Sequence, residues 1–292
     1  DLADLGATDT MGIEVISSTL TLNNVSVSSG SNQQMLLAEG GVVGSVNTAL
    51  SYGTDSGLTV AAHSFWNGFE DRFIGNRNDG IRIDETSSAT LTHALIQGNQ
   101  RYGILDNGHL TIFGSTLTAN GVAAHQDTPA NLANFDTGNR IYNNTLNAIE
   151  VRGTLSQSTV WPGQGLAYAL TSGRVRVDTG GRLTIQGGAI IKGNRNGSLA
   201  VVSGGQLVSL GTSSSPVVIT SVKDDSVGGD TNNDGSASQP GTGDWGGLQF
   251  IRADSGSQLA NTMIRYTGIG PRYRNDLADL GATDTMGIEV IS

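Results

Sequence analysis

The sequence contains no cysteine, and its only lysines are Lys192 and Lys223. The absence of cysteine excludes a disulfide framework, a thiolate metal site and a cysteine nucleophile. Phosphate binding requires clustered positive charge, so the net charge of −10 argues against a nucleic-acid partner. No long apolar run predicts a membrane span, and the first residues carry neither the basic nor the apolar region of a targeting signal.

Proline is also scarce, with 5 residues, whereas glycine is abundant, with 42. The chain is therefore expected to turn mainly at positions with positive φ, as β-rich proteins do. Glycine shows no three-residue period, which excludes collagen, and recurring clusters of valine, isoleucine and leucine argue against disorder. The sequence thus predicts a β protein with a packed core.

A long repeat is visible at the two ends of the sequence. Residues 1–17, DLADLGATDTMGIEVIS, recur without change at residues 276–292, an offset of 275 residues. Letters typical of the surface and of the core are both preserved, which predicts that the parent chain carries near-identical copies of a long unit. We therefore interpret residues 1–292 as a single continuous domain, made of one 275-residue repeat and a 17-residue overlap.

A shorter period lies inside this unit. Segments that alternate apolar and polar residues, as half-buried strands do, recur every 22–25 residues, with one interval of two periods. They are GIEV (12), QMLL (34), GLTV (57), GIRI (80), GILD (103), AIEV (148), GRVRV (173) and GSLAVV (197). This length, without helical periodicity, is typical of a solenoid rung. Rung length and the usual hand of parallel crossovers predict an all-β, right-handed parallel β-helix of about ten rungs.

Asparagine recurs at one corner of these rungs. It stands four residues ahead of the strand's opening residue at Asn76, Asn99, Asn144 and Asn194. Asparagine tolerates the left-handed backbone conformation, and its amide can bond the asparagine of the adjoining rung. The pattern predicts a structural asparagine ladder, with Asn120 near it in a less regular rung.

The corner pattern G-N-x-x-x-G-I/L and the segment SSPVVITSVKDDSVGGDTNNDGSASQPGTGDWGGLQF (214–250) resemble a known family. They are similar to the right-handed parallel β-helix domains of large bacterial surface and adhesin-like proteins. Those domains place an aspartate-rich insertion before a D-W-G-G strand. The resemblance covers the whole sequence, and it implies secretion and display at the cell surface.

Two insertions interrupt the rung period, at residues 222–244 and 268–285. Both precede a strand at the same corner, so the two loops are expected to emerge side by side on one face. The second loop carries the basic and aromatic residues Arg272, Tyr273 and Arg274, which are candidates for binding a ligand or the acidic first loop. An adhesive or carbohydrate-binding module that uses these two loops is one possible function.

The first loop carries a candidate calcium site. Asp230, Asn232 and Asp234 alternate like the first, third and fifth ligands of a calcium loop. The glutamate that usually closes such a loop is missing, so Asp224, or else Asp225 or Asp244, would have to complete the oxygen shell. The alternative reading is a turn of asparagine, aspartate and glycine with solvated charges. We predict Ca²⁺ as the cofactor.

A polysaccharide lyase or glycoside hydrolase is the third functional class, because Asp84 and Asp106 follow equivalent strands on neighbouring rungs. They stand at different distances after their strands' first glycines, so they are expected to face opposite ways. We therefore predict a non-catalytic structural protein, an extracellular filament or stalk segment with an adhesive role. Its expected partners are further copies of the same repeat, end to end, and surface glycans.

Overall fold

The computed structural model describes residues 12–129, 134–135, 138–163, 165–268 and 287–291. All regular elements in these ranges are β-strands, paired in parallel, so the predicted all-β parallel solenoid is confirmed. The right hand of the coil stays a prediction. No described helix is long and apolar enough to cross a membrane. The chain divides into two compact units, residues 1–125 with 133–146 and residues 126–132 with 147–292.

Among its described residues, the first unit contains eighteen short strands that form three walls. They are β1 Ile13–Ile16, β2 Thr19–Asn23, β3 Ser26–Ser28, β4 Met35–Ala38, β5 Val42–Val46, β6 Ala49–Ser51, β7 Leu58–Val60, β8 Phe65–Phe69, β9 Arg72–Ile74, β10 Ile81–Ile83, β11 Ser88–Thr92, β12 Leu95–Gln97, β13 Tyr102–Asp106, β14 His109–Phe113, β15 Thr116–Thr118, β16 Val122–Gln126, β17 Asn134–Phe135 and β18 Arg140–Tyr142. Each wall takes every third strand, starting from β1, β2 or β3.

Strand alternation places the core of this unit inside the coil. In β10, Ile81 and Ile83 are fully buried while Arg82 between them is exposed. The register aligns Ile81 with Leu58 on one side and with Ile104 on the other, and all three are buried. In successive coils, residues of the same kind therefore lie next to each other. A period-two pattern that recurs every 20-odd residues forms a parallel solenoid for this reason.

The asparagine ladder occupies the corner that precedes the first wall. The Oδ1 atom of Asn99 accepts the backbone N–H of Asn76 at 3.0 Å and its Nδ2 at 2.9 Å. Asn120 accepts from Asn99 in the same way, at 3.1 and 2.9 Å. Asn144 accepts from Asn120 at 3.0 and 2.9 Å. The four side chains are at most 2% exposed, so the ladder satisfies buried groups that water cannot reach.

The glycine of the corner motif is required by the same ladder. A Cβ atom at Gly80 would lie 2.8 Å from Nδ2 of Asn99 and 2.6 Å from the carbonyl oxygen of Gly103. Gly57 stands in the same relation to Asn76, at 2.8 Å. The spacing from asparagine to glycine therefore reflects a close approach between successive coils, since any larger residue would collide with the amide of the ladder.

The part of the second unit that the structure describes contains fourteen strands. They are β19 Leu146–Val151, β20 Gly153–Leu155, β21 Ser158–Trp161, β22 Tyr168–Leu170, β23 Arg174–Val177, β24 Arg182–Gln186, β25 Ile190–Gly193, β26 Ser198–Val202, β27 Gln206–Leu210, β28 Val217–Ser221, β29 Leu248–Ile251, β30 Gln258–Ala260, β31 Thr262–Ile264 and β32 Ile288–Ile291. One wall is β19-β22-β25-β28-β31, the second is β20-β23-β26-β29-β32 and the third is β21-β24-β27-β30.

Two expectations from the sequence need correction in this unit. The segments GRVRV and GSLAVV lie in β23 and β26, whereas AIEV lies in β19, which belongs to another wall. Asn194 consequently stands at a different corner, after β25 rather than before that wall. Its Nδ2 donates to the carbonyl oxygen of Thr171 at 3.2 Å, and its Oδ1 accepts the N–H of Asn196 at 2.8 Å. Asn194 is therefore a turn residue and not part of the ladder.

Candidate metal centre

The acidic loop, residues 222–244, leaves the second unit between β28 and β29. Its two ends are tied together, because Oγ of Ser221 donates to Oδ2 of Asp244 at 2.9 Å. Nζ of Lys223 donates to Oδ1 of the same carboxylate at 2.8 Å. Burial would raise the pKa of Asp244, but these hydrogen bonds and one from Gly241 outweigh it and lower the pKa. Asp244 is thus a clasp at the base of the loop.

Three carboxylates meet within the loop. Asp225, Asp230 and Asp234 each direct one oxygen into a cluster whose oxygens all lie within 4.8 Å of one another. The Oδ1 atoms of Asp225 and Asp234 are buried and have no hydrogen-bond partner, and the same holds for Oδ1 of Asn232. An unsatisfied buried acceptor costs about 1–3 kcal/mol, and more when it is charged. The loop therefore presents several oxygen ligands that its own donors do not satisfy.

The turn that places these oxygens is built by Asp230. Its Oδ1 accepts the backbone N–H of Asp234 at 3.1 Å, and its Oδ2 accepts that of Gly235 at 2.8 Å. Gly235 has a φ of 69°, the left-handed conformation that glycine adopts without strain. Nδ2 of Asn232 donates to Oδ2 of Asp234 at 2.8 Å, which leaves Oδ1 of each side chain free of these turn contacts. The alternation D-x-N-x-D is therefore what brings oxygens to one side of the turn.

A buried lysine lies beside the cluster. Lys192, in β25, is fully buried, and its Nζ donates to the carbonyl oxygen of Gly229 at 2.8 Å. Burial lowers the pKa of Lys192, against the charges of Asp225, Asp224 and Asp230. Burial also raises the pKa of Asp225, and the neighbouring charge of Asp230 raises it further. Mutual repulsion within the cluster is therefore only partly balanced by the ammonium group.

Asp224, one of the four ligands predicted from the sequence, does not lie in the described cluster. Asp224 turns away from the cluster and accepts the hydroxyl of Thr220 at 2.7 Å, with Arg265 at 3.5 Å. Burial would raise the pKa of Asp224, but its hydrogen bonds, above all from Ser226, lower it overall. Asp225, the next residue of the chain, has a carboxylate oxygen in the cluster instead. Asp230, Asn232 and Asp234 lie together as the spacing indicates.

The predicted binding residues Arg272, Tyr273 and Arg274 lie outside the described residues, as does nearly all of the loop 268–285. No geometry can therefore be given for a surface shared by the two loops. The acidic loop instead contacts Arg265, which is the residue after β31.

The two carboxylates considered for catalysis do not form a pair. Asp106 aligns with Ile83 across the wall, so Asp84 is one position further along and points to the other side of the sheet. Asp84 caps a turn, where its Oδ1 accepts the N–H of Thr86 at 3.1 Å, and its Oδ2 accepts the N–H of Ala62 in the preceding coil at 2.8 Å. Burial would raise the pKa of Asp84, but this bond and those from the following turn lower it. Asp106 is fully buried and accepts the N–H of Gly108 at 3.1 Å.

Comparison with protein families gives two matches. Residues 153–262 match the pectate-lyase-like beta helix domain. Residues 8–195, more than half of the chain, match the family described as periplasmic copper-binding protein (NosD). No curated protein matches the chain, and no solved structure does. Together with the parallel solenoid, the longer match shows that the chain belongs to the family described as periplasmic copper-binding protein (NosD).

Proposed function

We propose that the chain is a non-catalytic structural segment of a longer array of near-identical β-solenoid repeats, working in the periplasm or outside the cell. The β-helix families that it matches fit such a location. The observation that carries the proposal is the exact recurrence of residues 1–17 at 276–292, with the strand IEVI formed in both copies, as β1 and as β32. A strand that pairs with a following coil in one copy and with a preceding coil in the other is what a continuous array requires.

The array is tested by particle length. Proteins with one, two and three copies of the 275-residue unit should be imaged by negative-stain electron microscopy. Coils of parallel strands rise by about 4.8 Å each, so every added copy should lengthen the particle by roughly 40–50 Å at constant width. Particles that become wider or form separate beads on a linker would contradict a continuous solenoid. An adhesive role and surface glycans as partners stay predictions from the sequence.

The acidic loop is proposed to bind Ca²⁺. The cluster of Asp225, Asp230 and Asp234 offers only oxygen ligands, which calcium prefers. Three carboxylates and the ammonium group of Lys192 leave two negative charges, which a divalent cation would neutralise. Copper, named in the family's description, favours imidazole and sulfur ligands, and the described cluster contains neither. The proposal for this loop is therefore a hard cation rather than copper.

Calorimetric titration of the full chain tests the loop. Ca²⁺ should bind with one-site stoichiometry. Asp225→Asn and Asp234→Asn should each weaken Ca²⁺ binding by about tenfold or more, because each removes a charged ligand. Asp224→Asn is the matched control, since Asp224 is adjacent in sequence but bonded to Thr220. A larger loss in Asp224→Asn than in Asp225→Asn would contradict the ligand set.

A further inference from the structure

The last described strands of the second unit present a surface that is partly apolar, which we call the end face. It is formed by β29, β30, the turn between them and β32, and it surrounds a cavity of about 430 Å³. Phe250, Leu259, Ile288 and Val290 supply its apolar lining. Ile288 is 40% exposed and Val290 is 76% exposed, although Val290 aligns with the buried Phe250 of β29. These side chains lie in register with core residues of the preceding coil, but among the described residues no further coil covers them.

The chain contains its own comparison for this surface. Val15 of β1 and Val290 of β32 are the same residue of the repeated sequence. Val15 is only 5% exposed, because β4 lies beside it and Val15 aligns with Leu37. Identical local sequence thus gives a buried valine where a following coil is present and an exposed one on the end face. Among the described residues, no coil equivalent to the one that contains β4 lies on the end face.

The two pairings of the repeated strand are compatible with each other. β32 pairs with β29, which precedes it, through Leu248↔Ile288, Gln249↔Glu289 and Phe250↔Val290. β1 pairs with β4, which follows it, through Ile13↔Met35, Glu14↔Leu36 and Val15↔Leu37. A parallel strand inside a sheet bonds a neighbour on each edge. One IEVI strand can therefore hold both partners at the same time.

From this geometry we infer that the end face docks the first coil of the next copy of this chain, with β32 paired to that copy's β4 in the register of β1. The inference rests on the proposed array and specifies its junction. The occupant is the segment that follows IEVIS, residues 18–38 of the next copy. Its β2 leucines, of which Leu22 is buried in the first unit, then cover the cavity beside Leu259. Its β4 places Leu37 beside Val290, as Leu37 now lies beside Val15.

The junction is tested in a two-copy protein, residues 1–292 continued by residues 18–292 of a second copy, so that IEVI occurs once at the junction. The sequence of 292 residues has no cysteine, so engineered pairs are unambiguous. Glu289→Cys with Leu36→Cys of the second copy places two outward positions on adjacent parallel strands, about 4.8 Å apart, within disulfide range. Most molecules should form this disulfide under mild oxidation. Glu289→Cys with Thr59→Cys of the second copy is the matched control, because one further coil roughly doubles the distance.

A measurement without cysteines protects the test against folding defects. Amide hydrogen exchange of β32 should slow by at least 100-fold in the two-copy protein relative to the single chain, because β32 then pairs with β4 of the second copy as well as with β29. If the two-copy particle lengthens but the control pair cross-links, or the β32 amides stay unprotected, the docking register is wrong and the array still stands. If the particle does not lengthen at all, the proposed array itself fails.

Discussion

Replacing one asparagine of the ladder by alanine should destabilise the first unit strongly. The loss should be much larger than the loss caused by replacing an asparagine that lies in an ordinary turn. Asn99 is fully buried and makes four described side-chain hydrogen bonds. In Asn99→Ala, the backbone N–H of Asn76 loses its acceptor and the carbonyl oxygen of Phe73 loses a donor at 3.1 Å. A buried group left without a partner costs about 1–3 kcal/mol. We therefore expect a loss of about 3 kcal/mol in the free energy of unfolding.

The matched control is Asn194→Ala, because the side chain of Asn194 makes two described hydrogen bonds, one within its own turn and one to the carbonyl oxygen of Thr171, just after β22. That variant should lose about 1 kcal/mol or less. Urea unfolding should be followed together with hydrogen exchange at the ladder corner, since a chain of two compact units can unfold in more than one step. Equal losses in the two variants would refute the reasoning, because they would mean that the ladder contributes no more than an ordinary turn.

Three further predictions concern single residues. Gly80→Ala should lower the thermal midpoint sharply because its Cβ would lie 2.8 Å from Nδ2 of Asn99, whereas Gly44→Ala, with nothing within 4 Å, should change it little. Burial raises the pKa of Asp71 despite three hydrogen bonds to its carboxylate, so its contribution to stability is largest in acid and is lost as pH rises through the raised pKa. The free energy of unfolding should therefore vary less with pH in Asp71→Asn, and an unchanged pH dependence would contradict this sign. Lys192→Met should tighten Ca²⁺ binding, by up to about tenfold in low-salt titrations, because it removes the buried ammonium group; weaker binding would show that the lysine instead holds the loop in shape.

The walls could be predicted from the sequence because their signals are local and repeated. The spacing from Asn76 to Gly80 indicates a close contact between coils, and the next coil repeats it at Asn99 and Gly103. The change of wall in the second unit carried no such signal. AIEV in β19 and GRVRV in β23 alternate apolar and polar residues in the same way. Alternation indicates that a strand has one buried face, but it does not indicate which wall the strand joins.

The cluster could be predicted only in part, for a related reason. The spacing of Asp230, Asn232 and Asp234 fixes the turn through hydrogen bonds to the backbone, so this part of the cluster could be predicted from the sequence. The choice between Asp224 and Asp225 depends on a turn in which the N–H of Asp224 donates to the carbonyl oxygen of Ser221 at 3.0 Å. Lys192 lies 33 residues before Asp225, and nothing in its local pattern indicates that β25 directs it towards the loop.

The way the loop rejoins the walls determines what a cation could do there. Trp245 follows the loop directly, is fully buried, and donates its indole N–H to the carbonyl oxygen of Arg265 at 2.8 Å. Asp244 is bonded to Ser221, so contacts that involve none of the three clustered carboxylates hold both ends of the acidic loop. The entropy of closing the loop is therefore already offset by packing and hydrogen bonds. A bound cation would reduce the repulsion between Asp225 and its neighbours. Its free energy of binding would stabilise the loop, but it would not be needed to hold β28 beside β31.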